Sequence, residues 1–355
     1  MQRKIRVLVV DDSALVRDIL TQGLSLDPGI EVVGSAQDPF FARDKIIELK
    51  PDVLTLDVEM PRMDGVQFLK LLMPQYPLPV VMVSSLTQKG KQITFDALEA
   101  GAVDFVSKPT SNISRGLNGM MVQLRTKVKI ASTANVSHWK SNREQLFKAD
   151  ARTSKALAES TDKVIAIGAS TGGTEAIRKV LESFPINTPG TVIVQHMPPG
   201  FTKLFAERLN KLVPMEVKEA TSGDRIIPGR VLIAPGDLHM TVKRSGGHYE
   251  VICSEGEKVC GHMPSVDVLM HSVAKHVGKN AYGIMLTGMG RDGAEGMLAM
   301  RNSGARNIAQ DENTSVVFGM PNEAHKYGGA EKLVPVNEIA STIIRIITGG
   351  KNDQL

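Results

Sequence analysis

The sequence has few aromatic residues, only two cysteines and no long apolar run. Aromatic residues make up 4% of the 355-residue chain, and Cys253 and Cys260 lack the second pair of ligands that a zinc site needs. We therefore expect reduced thiols in a cytoplasmic protein. No run approaches the ~18 apolar residues of a membrane span, so we expect no membrane insertion. The first apolar run stops at Val10, which argues against a signal peptide.

A strong excess of one charge sign is also missing. The formal net charge is +4, and no basic arm or face is evident. Nucleic acid is therefore not an expected partner, and the lack of a compact C-terminal helix-turn-helix pattern disfavours a transcriptional output. Hydrophobic content of 42% and charged content of 23% are typical of a globular protein, and the length suits two domains.

The first 130 residues alternate buried-strand patterns with helical ones. Five such units predict a parallel sheet with helices on both faces, where ligands bind beyond the carboxyl ends of the strands. The predicted strands are Ile5–Val10, Ile30–Ala36, Val53–Leu56, Val80–Val83 and Val103–Val106.

Acidic, hydroxyl and lysine side chains gather at that edge of the predicted sheet. Asp11 and Asp12 follow the first strand, and Asp57, Ser84 and Lys108 follow the third, fourth and fifth. Three carboxylates around one point repel each other unless a hard cation such as Mg²⁺ joins them. A lysine and a hydroxyl beside them suit a phosphoryl group. One strand-end aspartate is more often a helix cap, so the prediction depends on the combination.

Residues 1–125 resemble a response-regulator receiver domain, which has a five-stranded parallel, flavodoxin-like sheet. The resemblance is carried by Asp11-Asp12, Asp57, Met60-Pro-Arg-Met-Asp-Gly65, Ser84 and Lys108-Pro109. It implies that Asp57 accepts phosphate from a partner histidine kinase. The implied Mg²⁺ ligands are Asp12, Asp57 and the backbone carbonyl of Glu59, with Asp11 bound through water.

Three further roles follow from the same resemblance. Lys108 would pair with the phosphoryl oxygens, Ser84 would hydrogen-bond the new phosphate, and Phe105 would be the aromatic side chain that changes rotamer. About two negative charges would then appear at a strand end, and nearby groups would rearrange to meet them.

We predict a linker at 126–161 and a second α/β domain at 162–355. Polar residues dominate 131–161, where apolar periodicity is poor. A β-hairpin region is predicted around 224–253, and the segment Gly223–His239 within it is hairpin-like. Strands are predicted at Val164–Ile167, Thr191–Gln195, Val231–Ala234, Tyr249–Cys253, Tyr282–Leu286 and near Ile308.

Ser170 lies in a run of small residues between a predicted strand and a predicted helix. Gly168, Ser170 and Gly172 fit the G-x-S-x-G pattern of a nucleophile turn, where a helix N-terminus stabilises developing negative charge. A turn that binds phosphate or only connects two elements is the alternative, although the lysine of a nucleotide-binding loop is absent.

A serine nucleophile needs a base and an orienting acid. Of the eight histidines, His196 directly follows the strand Thr191–Gln195, and Asp292 lies in a glycine-rich loop after Ile284–Leu286. We therefore predict a Ser–His–Asp set at three neighbouring strand ends. Its chain order differs from the Ser–Asp–His order of α/β-hydrolases, which disfavours that fold.

Residues 162–355 resemble the catalytic domain of the chemotaxis protein-glutamate methylesterases. The matching segments are Gly168-Ala-Ser-Thr-Gly-Gly173, Val194-Gln-His-Met197, Pro264-Ser-Val-Asp-Val-Leu269, Leu286-Thr-Gly-Met-Gly-Arg-Asp-Gly293 and Val317-Phe-Gly-Met-Pro321. The resemblance implies a doubly wound α/β fold with a β-hairpin. Ser170 would be the nucleophile, His196 the base and Asp292 its partner, with the backbone N–H of Met289 as an oxyanion donor.

The resemblance also implies the substrates and the regulation. Methyl-accepting chemoreceptors would supply glutamate methyl esters, releasing methanol, and certain glutamines for deamidation. The esterase would need no cofactor, and the receiver would inhibit it until the chemotaxis histidine kinase phosphorylates Asp57. A monomer is expected. Met263 stands where the resemblance implies arginine; if that arginine contacts substrate in the family, recognition here would be weaker or differently tuned. A non-catalytic regulator with a binding output is the alternative, but such a protein would be expected to lose part of the catalytic set.

Overall fold

Buried aliphatic strands form the centre of both units of this chain. The computed structural model describes residues 3–84, 87–109, 113–137, 139 and 162–349, without the side chains of 88, 89 and 113–116. One unit contains the described residues before 140 and the other those from 162 onward. Most of the predicted linker, 140–161, lies outside the described residues, as does His138.

The first unit has a five-stranded sheet in which every pair of neighbours is parallel, in the order β2-β1-β3-β4-β5. Its strands are β1 (Ile5–Val10), β2 (Ile30–Ala36), β3 (Val53–Asp57), β4 (Val80–Ser84) and β5 (Asp104–Ser107). Its helices are α1 (Ala14–Ser25), α2 (Pro39–Leu49), α3 (Gly65–Gln75), α4 (Gln88–Glu99) and α5 (Ile113–Ala131). The predicted flavodoxin-like sheet is therefore confirmed.

Helix α5 continues six residues into the range that we predicted as linker. Val128 and Ala131 near its end are fully buried, because they pack into the first unit. Trp139 also belongs to this unit: its ring lies beside Gly101, where an added Cβ would be 3.0 Å from the indole Cε2. Burial of these apolar side chains explains why the ordered unit extends beyond residue 125.

The second unit has a seven-stranded parallel sheet in the order β15-β14-β13-β6-β7-β10-β8 and a three-stranded antiparallel sheet in the order β11-β12-β9. The large sheet contains β6 (Val164–Ala169), β7 (Gly190–Gln195), β8 (Glu216–Glu219), β10 (Arg230–Ile233), β13 (Ala281–Met285), β14 (Arg306–Gln310) and β15 (Lys332–Val334). The small sheet contains β9 (Arg225–Ile226), β11 (His239–Ser245) and β12 (His248–Ser254).

Six helices accompany these strands in the described part of this unit, although the five strands from β8 to β12 follow one another without a helix between them. The helices are α6 (Gly173–Glu182), α7 (Phe201–Leu212), α8 (Val266–His276), α9 (Ala294–Asn302), α10 (Met320–Lys326) and α11 (Val336–Ile347), with a 3-10 turn at Gly278–Asn280. Helix α8 packs against both α9 and strand β11. It therefore connects the hairpin β11–β12 to the centre of the unit.

The prediction of a hairpin at Gly223–His239 is wrong. The two short strands in this segment join different sheets: β9 pairs with β12, whereas β10 pairs with β7 and β8. Gly229 does make a turn between them, with a φ of 77°. The β-hairpin of the fold is formed by β11 and β12, which pair from His239 with Ser254 to Ser245 with His248. It therefore lies in the second half of the predicted hairpin region around 224–253.

Candidate active site

Three neighbouring strands of the large sheet bring the predicted catalytic residues to one edge. In the register of the sheet, Gly168 of β6 pairs with Met285 of β13, and Ala169 pairs with Gln195 of β7. Because all three strands are parallel, the residues that follow them lie together. Ser170 comes directly after β6, and His196 directly after β7, where its N–H donates to the Ala169 carbonyl at 3.1 Å.

Ser170 occupies the turn between β6 and α6. A Cβ on Gly172, whose φ is 77°, would lie 2.6 Å from the Cβ of Val316, so the turn needs glycine there. The Ser170 carbonyl accepts hydrogen bonds from Gly173 N at 2.7 Å and from Gln195 Nε2 at 2.9 Å. These contacts hold the serine at the N-terminus of α6, where the helix dipole favours negative charge.

The ring of His196 is held by Asp292. His196 Nε2 lies 2.8 Å from Asp292 Oδ2, and the histidine side chain is only 6% exposed. Its Nδ1 is buried and has no hydrogen-bond partner among the described residues. Since Asp292 engages Nε2, Nδ1 is the nitrogen that can take a proton. A bond from Ser170 to Nδ1 must therefore form through side-chain rotation or substrate binding, as is common in unliganded sites.

The Asp292 carboxylate is buried against the N-terminus of α8. Its Oδ1 accepts from Ser265 Oγ at 2.7 Å and from the Asp267 N–H at 3.0 Å, and its Oδ2 accepts from the Val266 N–H at 2.8 Å. Burial raises the pKa of this carboxyl, but the hydrogen bond and charge of His196 and the bonds from Asp267 and Ser265 outweigh it and lower the pKa to about 2. Asp292 is therefore ionised at neutral pH.

The loop after β13 passes beside Ser170. The Ser170 N–H donates to the Thr287 carbonyl at 3.0 Å, and a Cβ on Gly288 would lie 2.8 Å from the Cβ of Ser170. Met289, whose N–H is the predicted oxyanion donor, is the next residue, and its side chain is 46% exposed. The N–H that we predict as the oxyanion donor therefore belongs to the residue directly after Gly288, which packs against Ser170.

Two residues beside this site, His262 and Ser265, received no role from the sequence. The His262 ring stacks on His196, with centroids 3.7 Å apart and planes within 7° of parallel. Ser265 caps α8 while its hydroxyl holds Asp292. A serine that precedes apolar residues at helical spacing predicts the start of a helix. No sequence pattern, however, predicts that the hydroxyl of this serine contacts Asp292. Met263 is half-buried, and its carbonyl accepts from the Asp237 N–H at 3.3 Å.

The first unit brings three predicted carboxylates together at its own sheet edge. Asp11, Asp12 and Asp57 each offer one carboxylate oxygen within 4.8 Å of the others. Asp11 and Asp57 are buried, whereas Asp12 and the loop residue Glu59 are exposed. This cluster of oxygen ligands suits Mg²⁺.

Lys108 bridges two of these carboxylates. Its Nζ lies 3.0 Å from Asp11 Oδ2 and 2.9 Å from Asp57 Oδ1. Burial raises the pKa of Asp57 to about 6. The charge of Lys108 acts to lower this pKa, whereas the charge of Asp11 acts to raise it further. Burial also acts to lower the pKa of Lys108, but the two carboxylates outweigh it and raise that pKa above its ordinary value.

The two predicted switch side chains are buried on β4 and β5, the two strands that follow β3 in the sheet. The Ser84 hydroxyl lies 2.6 Å from Thr94 Oγ1 and donates to the Gly90 carbonyl at 3.2 Å, both in α4. Phe105 is 5% exposed, and the Lys127 ammonium lies 5.1 Å from its ring centroid. Ser84 would therefore have to leave these partners in α4 to bond a phosphoryl oxygen.

Comparison with known proteins identifies both units. The CheB methylesterase family model matches residues 165–343, and the response regulator receiver domain model matches residues 7–115. Within the described residues, no helix combines the length and hydropathy needed to cross a bilayer.

Relatives match over nearly the whole chain. A protein-glutamate methylesterase/protein-glutamine glutaminase of Syntrophotalea carbinolica is 70% identical, covering 98% of this chain and 99% of its own. The protein of the same name from Salmonella typhimurium (strain LT2) is 52% identical, covering 98% of each chain. The crystal structure of the Thermotoga maritima CheB methylesterase catalytic domain is 37% identical, with a TM-score of 0.51, covering 52% of this chain and 98% of that domain.

These matches favour a hydrolase over the non-catalytic regulator that the sequence alone left open. The chain belongs to the CheB family of protein-glutamate methylesterases/protein-glutamine glutaminases, with a response-regulator receiver domain ahead of its hydrolase domain.

Proposed function

We propose that this protein removes methyl groups from glutamate methyl esters of methyl-accepting chemoreceptors and deamidates specific receptor glutamines. The catalytic set is Ser170, His196 and Asp292, in a catalytic domain at 162–355. The single observation that carries this proposal is the 2.8 Å contact between His196 Nε2 and Asp292 Oδ2, at the strand end next to Ser170. Esterases of this type need such a held imidazole beside a hydroxyl.

The reaction begins with attack by the Ser170 hydroxyl oxygen on the ester carbonyl carbon. His196 Nδ1 takes the hydroxyl proton, and the Asp292 carboxylate stabilises the resulting imidazolium through Nε2. Negative charge develops on the former carbonyl oxygen. The Met289 N–H and the N-terminus of α6 support that charge, because backbone donors and a helix dipole are already oriented before the reaction.

The tetrahedral intermediate collapses when the carbon–oxygen bond to methanol breaks and His196 returns its proton to the leaving oxygen. Water then attacks the acyl-serine with His196 again as the base, which yields glutamate and free Ser170. Deamidation follows the same steps with a glutamine, and ammonia leaves in place of methanol. The described active-site residues supply each proton transfer.

The receiver domain, proposed at 1–125, is the control element. Asp57 accepts phosphate from the chemotaxis histidine kinase, and Lys108 pairs with the phosphoryl oxygens. Asp11, Asp12, Asp57 and the Glu59 carbonyl would hold Mg²⁺, which would neutralise negative charge during phosphoryl transfer. The fit of three carboxylate oxygens within 4.8 Å supports this assignment. Ser84 and Phe105 would respond to the phosphoryl group.

Regulation follows from the presence of a receiver and a hydrolase on one chain. We infer that the unphosphorylated receiver inhibits the catalytic domain and that phosphorylation of Asp57 relieves the inhibition. Residues 126–161 would be the connection, although α5 occupies the first six of them. We further propose that the protein acts in the cytoplasm as a monomer, without nucleic acid and without membrane insertion.

Methanol release from methylated receptor membranes tests the proposed function. Wild-type protein should release methanol, Ser170→Ala should release none above the spontaneous rate, and Ser341→Ala, which alters an exposed serine of α11, should match wild type. Equal release by wild type and Ser170→Ala would contradict the nucleophile. No release by wild type from several receptor preparations would contradict the substrate.

A further inference from the structure

His239 is a buried histidine outside the proposed catalytic set, and both of its ring nitrogens are engaged. It begins strand β11 and is 6% exposed. Its Nε2 lies 2.8 Å from the carbonyl oxygen of Glu257, and its Nδ1 lies 3.2 Å from the backbone nitrogen of Ser265. A Cβ on Gly256 would be 3.0 Å from the ring Cδ2, so the loop between β12 and α8 packs closely against the imidazole.

These two partners determine the tautomer of His239. A carbonyl oxygen can only accept, so Nε2 must carry the ring proton that is donated to Glu257. The backbone N–H of Ser265 can only donate, so Nδ1 must be unprotonated. The neutral ring with its proton on Nε2 therefore satisfies both partners.

Ser265 connects His239 to the catalytic acid. The Ser265 hydroxyl, the Val266 N–H and the Asp267 N–H all donate to the Asp292 carboxylate, at 2.7, 2.8 and 3.0 Å. These are the cap and first two residues of α8. The hydrogen bond from the Ser265 backbone to His239 fixes the point at which this helix begins. A continuous series of contacts therefore runs from His239 through the start of α8 and Asp292 to His196.

We propose that His239 is a positioning residue of the hydrolytic reaction. By accepting the Ser265 N–H, it holds the start of α8 where the three donors orient Asp292, and Asp292 in turn orients the imidazole of His196. This inference rests on the proposed roles of Asp292 and His196. A histidine that merely completes a core would contribute to stability without affecting the protonation behaviour of the active site.

Two substitutions distinguish the roles of the two ring nitrogens of His239. His239→Asn keeps an acceptor oxygen near the position of Nδ1, whereas His239→Gln keeps a donor near Nε2 but loses the acceptor for Ser265. His276→Gln, at the far end of α8, is the matched control. The full-length proteins are compared by kcat, KM and the pH profile of kcat/KM for methanol release, and by amide hydrogen exchange of residues 265–267.

His239→Gln should lower kcat by about 10- to 100-fold with little change in KM, because small displacements of catalytic groups have effects of this size. The acid limb of its pH profile should move to lower pH, since the imidazolium of His196 loses a well-oriented carboxylate. Amide exchange at 265–267 should accelerate. His239→Asn and His276→Gln should remain close to wild type in all three measurements.

Ser265→Ala provides a second test if His239→Gln folds poorly. It keeps the backbone N–H that binds His239 but removes one donor that orients Asp292, and it should lower kcat with little change in KM. Equal losses in His239→Asn and His239→Gln would overturn the inference, as would a lowered kcat in His239→Gln with an unchanged pH profile. Unchanged exchange at 265–267 in His239→Gln would also overturn it, and this measurement is independent of whether wild type releases methanol.

Discussion

Asp292 accepts hydrogen bonds from a histidine, a serine hydroxyl and two backbone N–H groups, so we expect its charge to contribute to stability as well as to the proposed catalysis. Its pKa of about 2 in the folded protein lies below the ordinary value of 3.8. A depressed carboxyl pKa stabilises the fold above the unfolded pKa, and the contribution is lost as the pH falls through the folded pKa. The difference of nearly two units corresponds to about 2 kcal/mol.

We therefore predict that Asp292→Asn lowers the free energy of unfolding of the hydrolase domain by about 2 kcal/mol at neutral pH. The deficit should narrow as the pH falls from about 5 toward the folded pKa of about 2, because the carboxylate of the wild-type protein is then protonated. The free energy of unfolding is measured by urea unfolding of the full-length protein, from the transition of the hydrolase domain. Glu312→Gln, at an exposed carboxylate, is the control. A deficit that stays constant over this pH range would contradict the assigned pKa.

Gly288 lies against Ser170, the proposed nucleophile, and leaves no room for a larger side chain. A methyl group at this position would approach the Cβ of Ser170 to 2.8 Å and would collide with the Met320 sulfur. Gly288→Ala should therefore lower methanol release by at least about 100-fold, since a displacement near 1 Å has this effect. Gly247→Ala, in a turn where an added Cβ meets nothing within 4 Å, should retain activity. Equal activity of the two variants would show that the loop does not fix Ser170.

Sequence reasoning placed the proposed catalytic side chains at one edge of the sheet but missed the groups that hold them. Ser170, His196 and Asp292 could be predicted because chemically distinctive side chains follow strand patterns, and parallel strand ends meet at one edge. The Val266 and Asp267 N–H groups that bind Asp292 could not, because every residue except proline has a backbone N–H. They are also 26 and 25 residues away from Asp292 along the chain.

At the scale of elements, helix α4 is anchored to strand β4 through the Ser84 and Thr94 hydroxyls, 2.6 Å apart. If phosphorylation draws Ser84 toward Asp57, this bond must break. Thr94→Val removes the hydroxyl while keeping the shape of the side chain. A hydrogen bond contributes about 1 kcal/mol, so the half-activating concentration of acetyl phosphate should fall by about fivefold.

Thr126→Val, which removes an exposed hydroxyl from helix α5, is the control variant. Activation is measured as methanol release at increasing acetyl phosphate concentration with saturating Mg²⁺. An unchanged or higher half-activating concentration in Thr94→Val would contradict a role for this hydroxyl pair in holding the inactive receiver.

The elements that sequence patterns missed are short or polar. Strand β8 reads Glu-Val-Lys-Glu and has one fully buried side chain, because it lies at the edge of the large sheet. Strand β15 has three residues, and helix α10 has seven and begins with Met320-Pro321. Long aliphatic strands were predicted well because burial on both faces gives a continuous apolar run. The misplaced hairpin arose because a glycine turn does not reveal which sheet each flanking strand joins.

At the scale of the whole molecule, the two units are expected to differ in their need for metal. The carboxylate cluster for Mg²⁺ lies in the receiver, whereas the proposed hydrolytic steps use side chains and backbone groups. Treatment with EDTA should therefore abolish stimulation by acetyl phosphate and leave basal methanol release unchanged. Loss of basal release that returns when Mg²⁺ is added back would contradict a metal-free esterase.

The central claim is that phosphorylation of Asp57 controls hydrolysis at Ser170 within one chain. The most direct measurement is the initial rate of methanol release from methylated receptor membranes by wild type, Asp57→Asn and Ser170→Ala, each with and without acetyl phosphate and Mg²⁺. We expect the phosphodonor to raise the wild-type rate, to leave the basal rate of Asp57→Asn unchanged, and to produce no release with Ser170→Ala. Equal stimulation of wild type and Asp57→Asn would contradict the account, because the phosphodonor would then act elsewhere than at the receiver aspartate.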